Sequence, residues 1–134
     1  MAHVCVQCDT GIALKKTTQD VLVRVKSASV TVAAVSGWHC PVCGEIEYAD
    51  NDSAERVWGA LEALSAQNLA QDAALLAATR RRLKLTQAQA AKLTGGGKNA
   101  FSRYERGQAK PVAAVVNLFK LLDRHPELMK ELAV

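Results

Sequence analysis

Between residues 20 and 36 the chain alternates in twos. Val21, Val23 and Val25 interleave with Leu22, Arg24 and Lys26, and a second β-branched run extends from Val30 to Val35. A period of two places alternate side chains on one face of a strand, and Ser27-Ala28-Ser29 offers a turn between the two runs. The segment therefore predicts a β-hairpin or a small three-stranded sheet. Past residue 50 the period changes. Ala54, Val57, Leu61 and Leu64 recur at helical spacing, with Trp58 beside the stripe, so residues 54–66 predict an amphipathic helix. The polar stretch Asp50-Asn51-Asp52-Ser53 supplies its N-cap. Ser65 to Gln71 is polar and uncapped, and fits a linker as well as a continuing helix. From Asp72 the pattern is helical almost to the end.

Within that helical half, Thr86 can cap a short helix over Gln87–Thr94, a glycine turn follows, and a second helix runs from about Lys98 to Arg106 before Gly107 closes it. Pro111 suits the start of another helix. Val112, Val115, Val116, Leu118, Phe119, Leu121 and Leu122 give that helix more apolar surface than one side requires, which fits either core packing or a partner subunit. Residues 126–132 predict a last short helix, with Leu128, Met129 and Leu132 turned inward or toward an interface.

With 134 residues the chain is sized for one domain or two very small ones, and only six residues are aromatic, so aliphatic side chains and alanine must build the interior. No run of about 18 apolar residues occurs, and Met1 to Leu14 lacks the basic start and apolar stretch of a signal peptide. A cytoplasmic protein without a membrane span is the expectation. Charge divides the chain more sharply than composition does. Residues 1–68 carry five Lys/Arg against eight Asp/Glu, whereas residues 69–134 carry twelve against five. A mildly acidic module joined to a basic one suggests that the second meets a polyanion, the alternative being a solvated basic surface.

All four cysteines fall in the acidic half, as Cys5-Val6-Gln7-Cys8 and Cys40-Pro41-Val42-Cys43. Tetrahedral Zn²⁺ needs four ligands at about 2.3 Å, and a two-residue spacer lets one tight turn offer two sulfurs to the same ion. Gly44 follows the second pair directly and Gly11 comes three residues after the first, where such turns need positive φ. Four thiolates fill the coordination shell, which argues for one structural ion over a catalytic one. Reducing cytoplasm disfavours disulfides, and no thioredoxin-like βαβ context supports a thiol redox centre. His3 and His39, beside the sulfurs, read as neighbours before ligands. So small a module cannot hold itself together by burial alone, and metal binding can contribute about 10 kcal/mol or more of apparent folding free energy.

In the basic half, two short helices crossing steeply need a small residue where their backbones approach and an apolar one on the inner face of the second. Ala91 and Phe101 supply them. Counted from Gln87, the alanine four residues on, Gly95 eight on, Phe101 fourteen on and Glu105 eighteen on resemble the helix-turn-helix of phage repressors, in register. The same resemblance pairs Arg80 with Glu105. Ala100, Phe101 and Tyr104 share one side of the second helix, and Asn99 and Arg103, four apart, share the opposite one. Asn can pair bidentately with adenine and Arg with guanine, so these two are the expected base readers. Gln87, Lys98, Ser102, Arg106 and Lys110 are the expected phosphate contacts, which position without specifying. The alternative is a solvated helix face. No nucleophile–base pair or open metal site is visible, so no enzyme is expected.

Taken in order, the double C-x-x-C ribbon, the helical connector, Gly95-Gly96-Gly97-Lys98-Asn99-Ala100-Phe101-Ser102-Arg103-Tyr104-Glu105-Arg106-Gly107 and Leu121-Leu122-Asp123-Arg124-His125-Pro126-Glu127-Leu128 are similar to the MqsA, or YgiT-type, family of type II antitoxins. The resemblance implies an α+β fold in three parts: a zinc-binding, toxin-binding β domain at 1–50, a helix and linker at 51–71, and an all-α helix-turn-helix domain of about five helices at 72–134 for DNA binding and dimerisation. It implies a homodimer on a palindromic operator, with Asn99 and Arg103 on bases. It also implies one structural Zn²⁺ on Cys5, Cys8, Cys40 and Cys43, and an MqsR-like ribonuclease toxin with a RelE-type fold bound by the N-terminal domain. The hairpin edge at residues 20–36 is a place for a partner strand to add. Lys98 departs from the apolar residue common after the glycine turn, which bears on operator preference. The competing class is a zinc-containing helix-turn-helix regulator without a toxin, acting as a metal or thiol sensor.

Overall fold

The computed structural model describes residues 3–132; residues 1, 2, 133 and 134, which terminate the 1–50 and 72–134 ranges and begin the Met1–Leu14 stretch, lie outside the described residues. Three strands, β1 (Lys15–Val25), β2 (Ala28–His39) and β3 (Ile46–Tyr48), form an antiparallel sheet in the order β1-β2-β3. Four α-helices follow, α1 (Asn51–Arg82), α2 (Gln87–Leu93), α3 (Ala100–Glu105) and α4 (Ala113–Arg124), and then a 3₁₀ helix at Pro126–Glu131. Two compact units divide the chain between Ala66 and Gln67, within α1. Residues 65–71 are helical, which settles the linker-or-helix alternative in favour of the helix.

In the first unit, Val23 pairs with Val30 and Val21 with Val32, so the hairpin loop shrinks to Lys26-Ser27. This lies one residue earlier than the expected Ser27–Ser29 turn. The cross-strand valine register sets the loop, and Lys26 takes the positive φ (55°) that a two-residue hairpin turn needs at its first position. Further along, the register shifts between Gln19 and Val21, and Ala34 on the bulged strand adopts φ 51°. Side chains satisfy the bulge. Asp20 Oδ1 accepts from the Ala34 N–H at 3.0 Å, while Arg56 donates to the carbonyls of Ala33 and Ala34.

Val23, Val32 and Val35 of the sheet are buried against Val57 and Leu64 of α1, with Ile46 and Tyr48 packed on their margin. Leu61, expected in the stripe, is 38% exposed at its edge. Asp50 begins α1 by accepting from the Ser53 N–H at 2.6 Å, a bond that holds its carboxyl below the usual carboxylate range. Ser53 in turn is fully buried, its hydroxyl accepting from the Ser36 N–H of β2 at 3.0 Å. Gly37 marks the closest approach within the sheet. A Cβ there would stand 2.5 Å from the Glu47 carbonyl oxygen, so β3 could not pair with a larger residue at this position without moving.

The second unit is built on Leu76, Ala90, Ala91, Phe101, Val115 and Phe119, with Leu85, Ala100, Tyr104 and Leu118 packed around them. Phe101 lies with its ring centroid 5.1 Å from that of Phe119 and 5.6 Å from that of Tyr104. Three successive helices end in the same way. Leu85 N–H donates to Arg80 O and Lys84 N–H to Arg81 O; Gly96 N–H donates to Ala91 O and Gly95 N–H to Lys92 O; Gln108 N–H donates to Arg103 O and Gly107 N–H to Tyr104 O. Each is a Schellman cap, with a left-handed residue at Lys84 (φ 59°), Gly95 (φ 74°) and Gly107 (φ 70°). Among the described residues no helix is long and apolar enough to cross a membrane.

Candidate metal centre and nucleic-acid interface

The sheet and the chain's first turns bring the four cysteines to one point. Cys5 is anchored by its N–H to the Ile12 carbonyl at 3.0 Å, next to a bridge between Val4 and Ala13. Cys40 is anchored by its N–H to the Glu45 carbonyl at 2.8 Å. The sulfurs lie 3.5 Å apart for Cys5–Cys43, 3.6 Å for Cys5–Cys8 and 3.8 Å for Cys8–Cys40, and all four fall within 4.8 Å of one another. Ligands at the corners of a tetrahedron with bonds of about 2.3 Å are separated by roughly 3.8 Å. The donor set therefore fits one metal ion.

The knuckles are not alike. In the second, the N–H groups of Val42 and Cys43 donate to Cys40 Sγ at 3.4 and 3.5 Å, and Gly44 takes φ 79°. In the first, the equivalent residue after the pair is Asp9, at φ 50°, and not Gly11, which has its own positive φ (65°) two residues later. A short polar side chain tolerates this conformation, which is why the glycine count pointed past it. The hydroxyl of Thr10 lies 3.2 Å from Cys8 Sγ, and this bond above all draws the Cys8 thiol down to about 6. A backbone bond from Glu45 favours the Cys43 thiolate, but desolvation and the neighbouring Cys5, Cys40 and Cys8 outweigh it and push Cys43 up to about 12. Cys40 is lowered, chiefly by the Cys43 N–H.

Both histidines stand outside the cluster. His3 stacks on Trp38 with centroids 3.9 Å apart and reaches Glu47 Oε2 through Nδ1 at 2.8 Å. His39 meets Gln19 Nε2 at 3.0 Å and the Val35 carbonyl at 3.2 Å. They are neighbours, and nothing in the spacing of the sequence signalled the Thr10 contact.

In the second unit, Thr86 caps α2 with a closed capping box: its hydroxyl accepts from the Gln89 N–H at 3.0 Å, and its own N–H donates to Gln89 Oε1 at 2.8 Å. Gln87 is the first residue of that helix. After Gly95, helix α3 is shorter than the expected 98–106. Lys98 lies in the turn before it, Asn99 is its N-cap and Arg106 its C-cap. The reason is local: the three glycines prolong the turn, and the helical ladder closes only when the Arg103 N–H reaches Asn99 O, at 3.1 Å. Asn99 and Arg103 are both exposed, one turn apart, opposite the buried Phe101. Ser102 is half-buried, and Arg106 lays its Nε against the Ser102 carbonyl at 3.2 Å. Lys110 is exposed in the segment between α3 and α4. Behind this face Arg80 holds Glu105 through two bonds, Nε to Oε2 at 2.8 Å and Nη2 to Oε1 at 2.9 Å, and its third nitrogen donates to Leu85 O at 2.9 Å. That is the pairing the repressor resemblance implied.

A four-thiolate knuckle module with the geometry to hold a metal ion, followed by a helix-turn-helix, defines a class of two-part proteins. The comparisons with known proteins narrow it. Residues 3–133 match the family described as the antitoxin component of bacterial toxin–antitoxin systems, MqsA. Antitoxin MqsA of Escherichia coli (strain K12) is 30% identical over 130 residues, covering 96% of this chain and 98% of the relative. The chain belongs to the MqsA antitoxin family. It is thus an antitoxin of a toxin–antitoxin system and not an enzyme, and the reading as a regulator without a toxin is set aside.

Proposed function

We propose that the chain is a cytoplasmic homodimeric antitoxin that neutralises a ribonuclease toxin of the MqsR/RelE type and represses its own operon on a palindromic operator. The division of labour is residues 1–50 for the toxin, 51–71 as connector and 72–134 for DNA and dimerisation. The observation that carries the DNA half is the exposed pair Asn99 and Arg103, one turn apart at the start of α3, with the ring of Phe101 anchoring the helix from behind. Asn99 and Arg103 read base edges, while Gln87, Lys98, Ser102, Arg106 and Lys110 rest on phosphates. Val112, Leu121 and Leu128 are exposed on and beside α4 and the 3₁₀ helix, and a symmetric partner would cover them. The ion is one structural Zn²⁺ held by Cys5, Cys8, Cys40 and Cys43; closing the tetrahedron fixes the two knuckles against each other, and no reaction passes through it.

Arg103→Ala tests the DNA half. It should lose about 1–3 kcal/mol of binding on a duplex taken from upstream of its own coding sequence, and little on a scrambled one, as measured by fluorescence anisotropy. Equal losses on both would overturn the assignment. For the toxin half, β1 lies at one edge of the sheet, where a partner strand can add. A proline at exposed Leu22 should abolish capture of the co-expressed toxin in a pull-down and leave operator binding intact. Full capture by that variant would remove the β1 edge from the interface.

A further inference from the structure

Four cations cluster at the end of α1, Arg80, Arg81, Arg82 and Lys84, and they fall into two kinds. Arg80 is consumed by Glu105 and the Leu85 carbonyl. Arg82 is consumed by Asp123, whose carbonyl it also reaches at 2.8 Å and whose carboxylate in addition accepts from the buried Thr79 hydroxyl. Arg81 and Lys84 are exposed and have no carboxylate within ion-pair distance among the described residues. Two charges of the cluster thus hold the fold and two are left over.

Lys84 carries a second peculiarity. Of the three Schellman caps in this unit, two place glycine at the left-handed position, and the one at the end of α1 places lysine there, at φ 59°. A lysine in this conformation is disfavoured relative to glycine, and such an outlier points toward a task for its side chain. Its place on the chain supplies the task. Lys84 stands two residues ahead of the Thr86 cap, and its Cα lies at most about 11 Å from that of Gln87. Its exposed ammonium is thus within reach of the duplex flank assigned to Gln87.

We infer that Arg81 and Lys84 form an accessory phosphate clamp that extends the DNA footprint beyond the helix-turn-helix itself. The inference rests on the operator-binding reading given above. A compact ammonium on a flexible stem suits a phosphate, which asks for charge and reach but no planar geometry, and two unneutralised cations at the end of α1, where the neighbouring Arg80 holds Glu105 of α3, would release counterions on contact. The clamp adds affinity on any sequence and leaves base choice to Asn99 and Arg103.

The full-length protein with Arg81→Gln, Lys84→Gln or Lys84→Gly tests this by anisotropy on the upstream duplex and a scrambled duplex across a salt series. Each substitution should flatten the slope of log K against log[salt] by about 0.9 per protomer, and should weaken both duplexes alike, by roughly eightfold per protomer and about sixtyfold for the dimer at 0.1 M salt when that slope is referred to 1 M. Lys84→Gly should at the same time raise Tm, because glycine is at ease at φ 59°; a merely structural role would move stability and affinity together. If the wild type binds DNA and shows the Arg103→Ala loss while these variants keep the wild-type slope, the clamp is refuted and the operator reading stands. If the wild type binds neither duplex, the operator reading is refuted and the clamp falls with it.

Discussion

Cys40→Ser will leave the first unit unfolded before any denaturant is added, while the second keeps a cooperative transition. The size of the effect follows from what otherwise holds that unit together. Its buried cluster consists of Val23, Val32, Val35, Val57 and Leu64, too little to offset the ordering of a long hairpin and two knuckles. A structural four-thiolate site contributes on the order of 10 kcal/mol of apparent folding free energy, so losing one buried ligand removes more than the rest of the unit supplies. Cys40 is the informative choice. It is buried, it accepts the Val42 and Cys43 N–H groups, and its own N–H ties the knuckle to Glu45. The readout is unusually clean because both tryptophans, Trp38 and Trp58, lie in this unit. Trp58 is already 58% exposed, so the red shift in Cys40→Ser, and in the wild type on adding a chelator, should come mainly from half-buried Trp38, while the helical circular-dichroism signal retains a sigmoidal urea transition. A wild-type-like tryptophan transition in the variant would mean that the sheet folds without its ion.

The same two units show where the sequence was legible and where it was not. Periodicity of two located β1 and β2 because the unit has one buried face, and a one-residue slip would have turned Val21, Val23 and Val25 outward. The four cysteines were legible because a metal demands specific atoms at a specific spacing. The helix-turn-helix was legible because Ala91, Gly95 and Phe101 answer steric needs that few other residues meet. What escaped depended on partners distant in sequence or on backbone conformations that several residues tolerate. Residues 65–71 left linker and helix open, because alanine and glutamine suit a helix while their polarity and lack of a cap suit a linker, and α1 runs through them. Asp9 occupies a left-handed position where a glycine, Gly11, was the expected marker, and Lys84 occupies one that no residue type signalled. The Thr10 contact to Cys8 and the Arg56 clamp on the bulge at Ala33 and Ala34 are tertiary, and no local pattern encodes them.

Arg80→Ala should destabilise the second unit by about 3–5 kcal/mol, the range for breaking one half of a buried ion pair. The side chains of Arg80 and Glu105 are only 12% and 7% exposed, so removing the guanidinium strands a carboxylate at the last residue of α3. Against a total of roughly 5–15 kcal/mol for a small domain, this brings the unit close to its midpoint. Arg80→Lys should recover little, because an ammonium cannot span both carboxylate oxygens and the Leu85 carbonyl as the guanidinium does. The double substitution Arg80→Met with Glu105→Leu separates stability from function. Replacing both charges by apolar groups removes the stranded carboxylate and should restore most of the lost stability in urea unfolding. Operator binding should not recover in step, because the pair fixes the C-terminal end of α3, and with it the angle at which Asn99 and Arg103 present themselves. If the double variant regains both stability and full operator affinity, the ion pair serves the fold alone and the aim of the reading helix is set by Phe101 and its neighbours.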